Sequence, residues 1–134
     1  MADTDSRWVA LGILGACALV APYLADAVGL ELDVAASVEI VDHVVPGVTV
    51  LIASAAMIGR GRRTSTQLAA AMAATGLAML AGLWITTSHA PLAVDALRGS
   101  APLAASLVHI AVGPPVLALA LWLLADVYRS AATS

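Results

Sequence analysis

Four long apolar runs, separated by short polar stretches, dominate the pattern of this sequence. They cover roughly residues 8–28, 36–59, 66–88 and 101–125. Each run supplies the ~20 residues that a membrane-spanning helix needs. None shows the regular alternation of apolar and polar residues that marks a membrane strand. The pattern therefore predicts an all-α integral membrane protein with four transmembrane helices.

Composition strengthens this prediction and limits the number of domains. The chain has 134 residues, of which 61% are hydrophobic and 11% are charged, with a mean hydropathy of +0.96. A soluble domain of this size could not hide so much apolar surface, so the lipid bilayer is the expected solvent. The whole chain, 1–134, is expected to form one domain. No basic run is long enough to indicate a nucleic-acid partner.

Charges near the ends of the apolar runs predict the orientation. A basic turn, GRGRR at 59–63, joins the second and third helices, while Arg7 precedes the first helix and Arg129 follows the fourth. The segments 26–33 and 88–100 at the opposite ends are longer and mostly acidic. Because basic loops stay in the cytoplasm, both termini are expected there, in the cell's inner (cytoplasmic) membrane.

Two stretches of the chain resemble each other. VDHVVPGVTVLIAS occupies 41–54 and LVHIAVGPPVLALA occupies 107–120. The matching pairs are His43 with His109 and Gly47 with Gly113. Since the order helix, outer loop, helix also occurs twice, the hairpins 8–59 and 66–128 are expected to be tandem parallel repeats. They would be related by an axis along the membrane normal.

The turns of the two hairpins carry a family resemblance. Each hairpin has a small residue and a proline after its first helix, and a polar residue four positions before a glycine in its second. The residues are Ala21-Pro22-Tyr23 and His43…Gly47, then Ala90-Pro91-Leu92 and His109…Gly113. This pattern resembles the SPW-repeat membrane proteins of bacteria and archaea, although Ser-Pro-Trp is absent and histidine replaces asparagine. The resemblance implies a two-hairpin topology and no particular activity.

Ionisable residues collect towards the outer ends of the predicted helices. His43 and His109 are expected at similar depth, and His89 ends the third helix. Glu39 lies four residues before His43, on the same helix face, and Asp42 adjoins it, so either carboxylate is a candidate partner for the ring. Ionisable groups at membrane depth are costly and usually face the bundle interior. These side chains are therefore expected to point inward and together.

Proline and glycine accompany two of the histidines. The residues are Pro46 and Gly47 after His43, and Gly113, Pro114 and Pro115 after His109. Because proline has no backbone N–H, the carbonyl four residues earlier loses its helical donor. Each histidine is thus expected beside a broken stretch of helix, with a glycine that admits another helix or a flat ligand.

Three hypotheses of function remain open. The leading one is a non-enzymatic scaffold or accessory subunit, whose histidines donate to the freed carbonyls of neighbouring helices. In the second, His43 and His109 hold haem b from facing helices. Alternatively they bind a transition metal, with His89, Glu39 and Asp42 as further ligands. The third is a small oligomeric transporter or channel.

Catalysis and partners are only weakly indicated. No phosphate loop, dinucleotide fingerprint, zinc-protease motif or hydrolase set is present, so no catalytic residue is expected. The expected partners are the lipid bilayer and either further copies of the chain or a larger membrane complex.

Overall fold

The computed structural model describes residues 2–30, 36–59 and 64–132, which are mostly helical and contain no strand. The helices are α1 (Ala2–Ala27), α2 (Ala36–Glu39), α3 (Val45–Ala55), α4 (Ser65–Ser88), α5 (Ala90–Leu97), α6 (Leu103–Ile110) and α7 (Gly113–Ala132). A π-helical turn, Ile40–Val44, joins α2 to α3. Most of the basic turn at 59–63 and part of the acidic segment 26–33 lie outside the described residues.

Four stretches of these helices are long and apolar enough to cross a membrane, as predicted. They are Thr4–Ala27, Ser37–Ala55, Ser65–Leu97 and Leu103–Ala132, and are called spans 1 to 4 below. Two boundaries differ most from the prediction. The third span continues through α5, which the sequence reads as an outer loop, because Pro91 fits the first turn of a helix. The fourth runs past 125, since Val127 is still buried in the core.

Local chemistry explains where α4 begins. The Thr64 side chain accepts a hydrogen bond from the backbone N–H of Gln67, and the Gln67 side chain accepts one from the N–H of Thr64. This reciprocal cap satisfies two backbone donors that a helix start leaves free. The residues that follow are rich in alanine and leucine, which favour helix.

Spans 1 and 2 pack antiparallel through a close glycine contact. A methyl group on Gly47 would lie 3.0 Å from the backbone oxygen of Gly15 and 3.0 Å from the nitrogen of Leu19. Further along, Gly15 faces Val50 and Gly12 faces Ser54. The expectation that Gly47 admits a close neighbour is confirmed, and the neighbour is a helix.

Spans 3 and 4 cross in the same way. A methyl group on Gly82 would lie 2.6 Å from the backbone nitrogen of Leu117, and one on Gly113 would lie 2.8 Å from that of Thr86. Since no side chain fits at these distances, both glycines set the spacing of the two helices. The prediction for Gly113 is therefore also confirmed.

The bundle has two unlike ends. Arg7 and Arg129 both pair with Asp126 at the end that carries the first and last helical turns, which we call the terminal end. The Arg7 guanidinium also lies 4.3 Å from the centre of the Trp122 ring. A dry apolar core, including Trp8, Leu11, Val50, Leu123 and Val127, extends from there into the bundle. The opposite end holds all three histidines.

Candidate functional site

Three histidines from three different spans meet inside the bundle. Only 2% of His43, 7% of His89 and 3% of His109 is exposed. The ring centres are 4.7 Å apart for His43 and His89, 5.4 Å for His43 and His109, and 6.2 Å for His89 and His109. The prediction that these rings point inward and together is confirmed. We call the three residues the histidine cluster, and their end of the bundle the histidine end.

His43 lies in the π-helical turn Ile40–Val44. Pro46 explains this irregularity, because it cannot donate to the carbonyl four residues before it. The backbone hydrogen bonds here reach back five residues instead of four, so that the N–H of Val45 bonds to the oxygen of Ile40. Single π turns of this kind are frequent at functional sites. The break expected near His43 is thus present.

The other two histidines also lie at helix breaks. His89 is the single residue between α4 and α5, with Pro91 in the first turn beyond it. His109 is the penultimate residue of α6, and α7 restarts at Gly113 with two prolines in its first turn. Irregular backbone at membrane depth is tolerated where it is buried in protein or lines a cavity. Pro22, by contrast, ends nothing, because α1 continues through it to Ala27.

Hydrogen bonds to backbone carbonyls determine which ring nitrogen carries the hydrogen in His89 and His109. His89 Nδ1 lies 2.8 Å from the oxygen of Ile85, and His109 Nδ1 lies 3.0 Å from the oxygen of Ala105. A carbonyl oxygen only accepts, so each Nδ1 carries the hydrogen and donates it. In the neutral ring each Nε2 then presents a lone pair. Metal-binding histidines are held by this same kind of contact.

The third ring contacts the second directly. The Nε2 atoms of His43 and His89 are 3.0 Å apart. Since His89 Nε2 bears a lone pair in this tautomer, the hydrogen of the contact lies on His43 Nε2, which donates it. Two buried ring nitrogens, Nδ1 of His43 and Nε2 of His109, have no hydrogen-bond partner among the described residues.

Those two unpartnered nitrogens bear on the role of the cluster. A buried polar atom without a partner costs about 1–3 kcal/mol, and in native proteins such an atom calls for an explanation such as a bound ion or water. The histidines were expected to donate to freed carbonyls on neighbouring helices, and for His109 this expectation is wrong. His43 does interact with the backbone of Ala18 on span 1, whose carbonyl Pro22 leaves without a helical donor. His109 instead bonds within its own span, and His43 bonds to His89.

A cavity of about 360 Å³ adjoins the histidine cluster, and we call it the acidic cavity. Its lining consists of Val38, Glu39, Asp42, His43, Ser88, His89, Pro91, Leu92, Asp95 and His109. Asp95 was missed in the sequence because it falls in the segment expected to be a loop. The one sequence feature that relates Asp95 to the site is its spacing. Asp95 follows Pro91 by four residues, so in a helix the two residues lie on the same face.

The predicted carboxylate partners of His43 behave differently from the expectation. Asp42 Oδ1 accepts a hydrogen bond from Trp84 Nε1 at 3.1 Å, across to span 3. Glu39 lines the acidic cavity together with the histidines. The ring of His43 bonds to His89 rather than to either carboxylate. The π turn changes the register between Glu39 and His43, so simple helical spacing no longer relates them.

The distances between the rings are similar to those in a metal site but do not match them. Two imidazole nitrogens on a tetrahedral metal at 2.0–2.1 Å are about 3.3 Å apart, and their ring centres about 5.2 Å. The observed Nε2 separation for His43 and His89 is 3.0 Å. His109 stands further off, and among the described residues no group of three or more histidine, cysteine or acidic side chains is already arranged to hold a metal ion.

Haem fits the same geometry less well than a small ion. Axial histidines ligate the iron of a haem from opposite faces of a planar macrocycle, through one ring nitrogen each. His89 Nε2 lies against His43 Nε2, the atom that would have to face the iron. The contact therefore fills the position of the iron and of the adjacent ring plane.

Comparison with known proteins adds no functional parallel. No family model, curated protein or solved structure matches the chain.

Proposed function

We propose that this is a non-enzymatic integral membrane protein that binds one transition-metal ion between His43, His89 and His109. The observation that carries the proposal is the meeting of three buried imidazoles from three spans. Two of them present Nε2 lone pairs, held in place by backbone carbonyls. Imidazole suits Zn, Cu, Fe and Ni, so the expected occupant belongs to this group.

The membrane setting is supported by the outside of the bundle. Large apolar side chains are exposed along all four spans, among them Ile13, Ile52, Leu80 and Leu121. Such a surface is suited to lipid and unfavourable in water. Arg7 and Arg129 lie at the terminal end, which favours a cytoplasmic position for both termini in the inner membrane.

A duplication of one hairpin would account for the shared features of the two halves. In both halves a glycine adjacent to a proline lies at a close helix contact, namely Gly47 after Pro46 and Gly113 before Pro114. The histidines that precede them lie 5.4 Å apart, centre to centre. We therefore keep the parallel repeat, and the likeness to SPW-repeat proteins, as part of the proposal.

Metal binding would require the His43 hydrogen to move from Nε2 to Nδ1, which frees the Nε2 lone pair, and a small adjustment of the ring positions. The centres of His109 and the other two rings, 5.4 and 6.2 Å apart, would have to approach about 5.2 Å, the spacing on a tetrahedral ion. This is a movement of about an ångström at most, estimated from the same geometry. Bound metal would also give the unpartnered Nε2 of His109 a partner.

Titration of the purified protein in detergent with Zn²⁺, followed by calorimetry, tests the proposal. We expect one ion per chain, with binding lost in His109→Ala. Ser106→Ala is the matched control, because Ser106 is buried on the same helix and bonds only to the oxygen of Pro102. Absence of saturable binding in the parent protein, or equal binding by both variants, would overturn the proposal.

A second candidate is the scaffold role, in which the histidines hold the bundle together. The hydrogen bond between His43 and His89, which links spans 2 and 3, favours it. In that case His43→Ala should lower the free energy of unfolding by about 1 kcal/mol, the usual contribution of one hydrogen bond. Metal would then have no effect on the thermal stability of the parent protein.

A further inference from the structure

The acidic cavity combines negative charge with the ligand atoms of the histidine cluster. Glu39 and Asp42 reach it from span 2 and Asp95 from span 3, and no lysine or arginine among the described residues lines it. Glu39 and Asp95 form no ion pair within the part of the chain that the structure describes. Ligating histidines must be neutral, so the carboxylates determine the charge of the cavity.

An independent observation indicates that the cavity receives a ligand. Nε2 of His109 is buried, has no hydrogen-bond partner in the described part of the chain, and belongs to a side chain that lines this cavity. His43 lines the cavity as well. The carboxylates thus line the same cavity as a histidine with an unused lone pair, which an ordinary solvated acidic rim would not do.

We propose that the acidic cavity is the loading site of the histidine cluster and selects divalent over monovalent metal ions. This inference rests on the proposed function, and adds the charge of the ion and the side chains that select it. The attraction between a carboxylate and an ion is proportional to the charge of the ion, so Zn²⁺ gains twice the energy that Ag⁺ gains. The restricted, partly apolar cavity strengthens that difference relative to water.

The three carboxylates contribute unequally to this selection. Asp42 is held by the indole N–H of Trp84, which fixes its oxygen at the edge of the cavity. Glu39 and Asp95 approach from two spans without such a restraint. These two are therefore the residues through which the selection is tested.

The experiment compares the affinities for Zn²⁺ and Ag⁺ in the full-length protein in detergent, in chloride-free buffer. All variants carry Cys17→Ala, because the exposed thiol of Cys17 would bind soft ions. Doubling the ionic charge squares the fold-change, so the double variant Glu39→Gln, Asp95→Asn should bind Ag⁺ about threefold and Zn²⁺ about tenfold more weakly. Asp26→Asn is the control, since this exposed carboxylate on α1 does not line the cavity.

The outcomes separate this inference from the function on which it rests. Equal weakening of both ions, or unchanged Zn²⁺ binding in the double variant, overturns the selection by charge while histidine-dependent binding stands. If the Cys17→Ala parent binds neither ion, the proposed function fails and the loading site fails with it. A larger loss for Zn²⁺ than for Ag⁺, absent from the Asp26→Asn control, supports the loading site.

Discussion

Polar groups meet at both ends of this bundle, but their burial and their partners differ. At the terminal end, Asp126 accepts hydrogen bonds from Arg7 and Arg129, and opposite charges meet. At the histidine end, three imidazole rings meet, and two of their nitrogens have no hydrogen-bond partner among the described residues. The first arrangement contributes to stability, whereas the second leaves atoms for a ligand. Substitutions at the two ends should therefore change different properties.

The largest effect is expected from removing a ligand at the histidine end. His89→Ala deletes the ring that contacts His43 and should weaken Zn²⁺ binding by at least about 100-fold, since even indirect supports of a metal ligand account for 10–100-fold. Calorimetric titration of the variant measures this. If His89→Ala bound Zn²⁺ as tightly as the parent protein, the histidine end would not be a metal site and would not differ from the terminal end in this respect.

The helix contact at Gly113, beside the histidine cluster, should not tolerate a larger side chain. Gly113→Ala places a methyl group 2.8 Å from the backbone nitrogen of Thr86, and should lower the free energy of unfolding by about 1–3 kcal/mol through overpacking. Gly76→Ala is the control, because nothing lies within 4 Å of its added methyl group. Denaturation in mixed micelles compares the two. Equal stability of both variants would mean that the helices are not as close as described.

At the terminal end, loss of a charge should change stability alone. Asp126→Asn weakens the pairing with Arg7, which is partly buried like Asp126, and with Arg129, which is exposed. A decrease of about 1–2 kcal/mol in the free energy of unfolding is expected for charge-assisted hydrogen bonds in such a setting. The affinity for Zn²⁺ should remain within error of the parent. A loss of metal binding here would show that the two ends are coupled.

The smallest effect concerns a carboxylate of the histidine end that already has a partner. Trp84→Phe removes the N–H that bonds to Asp42 and should cost about 0.5–1.5 kcal/mol of stability, the value of one hydrogen bond. The same denaturation assay detects it, while Zn²⁺ should bind as before. A change of metal affinity without loss of stability would place Asp42 among the ligands.

The sequence predicts the main elements of this site through helix physics. Apolar runs long enough to cross a bilayer indicate the four spans. The repeated histidine and proline predict that His43 and His109 meet beside helix breaks. The positions of Gly47 and Gly113 predict close helix contacts, although their partners, such as Gly15 and Thr86, could not be chosen from helices so rich in small residues.

Other features depend on long-range contacts and were not predictable. The segment 88–100 is polar enough to resemble a loop, yet α5 forms there and brings Asp95 to the cavity. Asp42 was expected to serve His43, but its partner is Trp84, 42 residues further along the chain. No local pattern indicates which of several nearby polar groups a carboxylate will contact after the helices pack.

X-ray absorption at the zinc edge tests the central claim most directly, because it counts the ligand atoms on bound Zn²⁺. The account predicts three imidazole nitrogens at 2.0–2.1 Å and a single additional oxygen in the detergent-solubilised protein. The contribution of imidazole should fall in each single His→Ala variant that still retains zinc. A zinc ion bound by fewer than two imidazoles, or by sulfur at about 2.3 Å from Cys17, would contradict it.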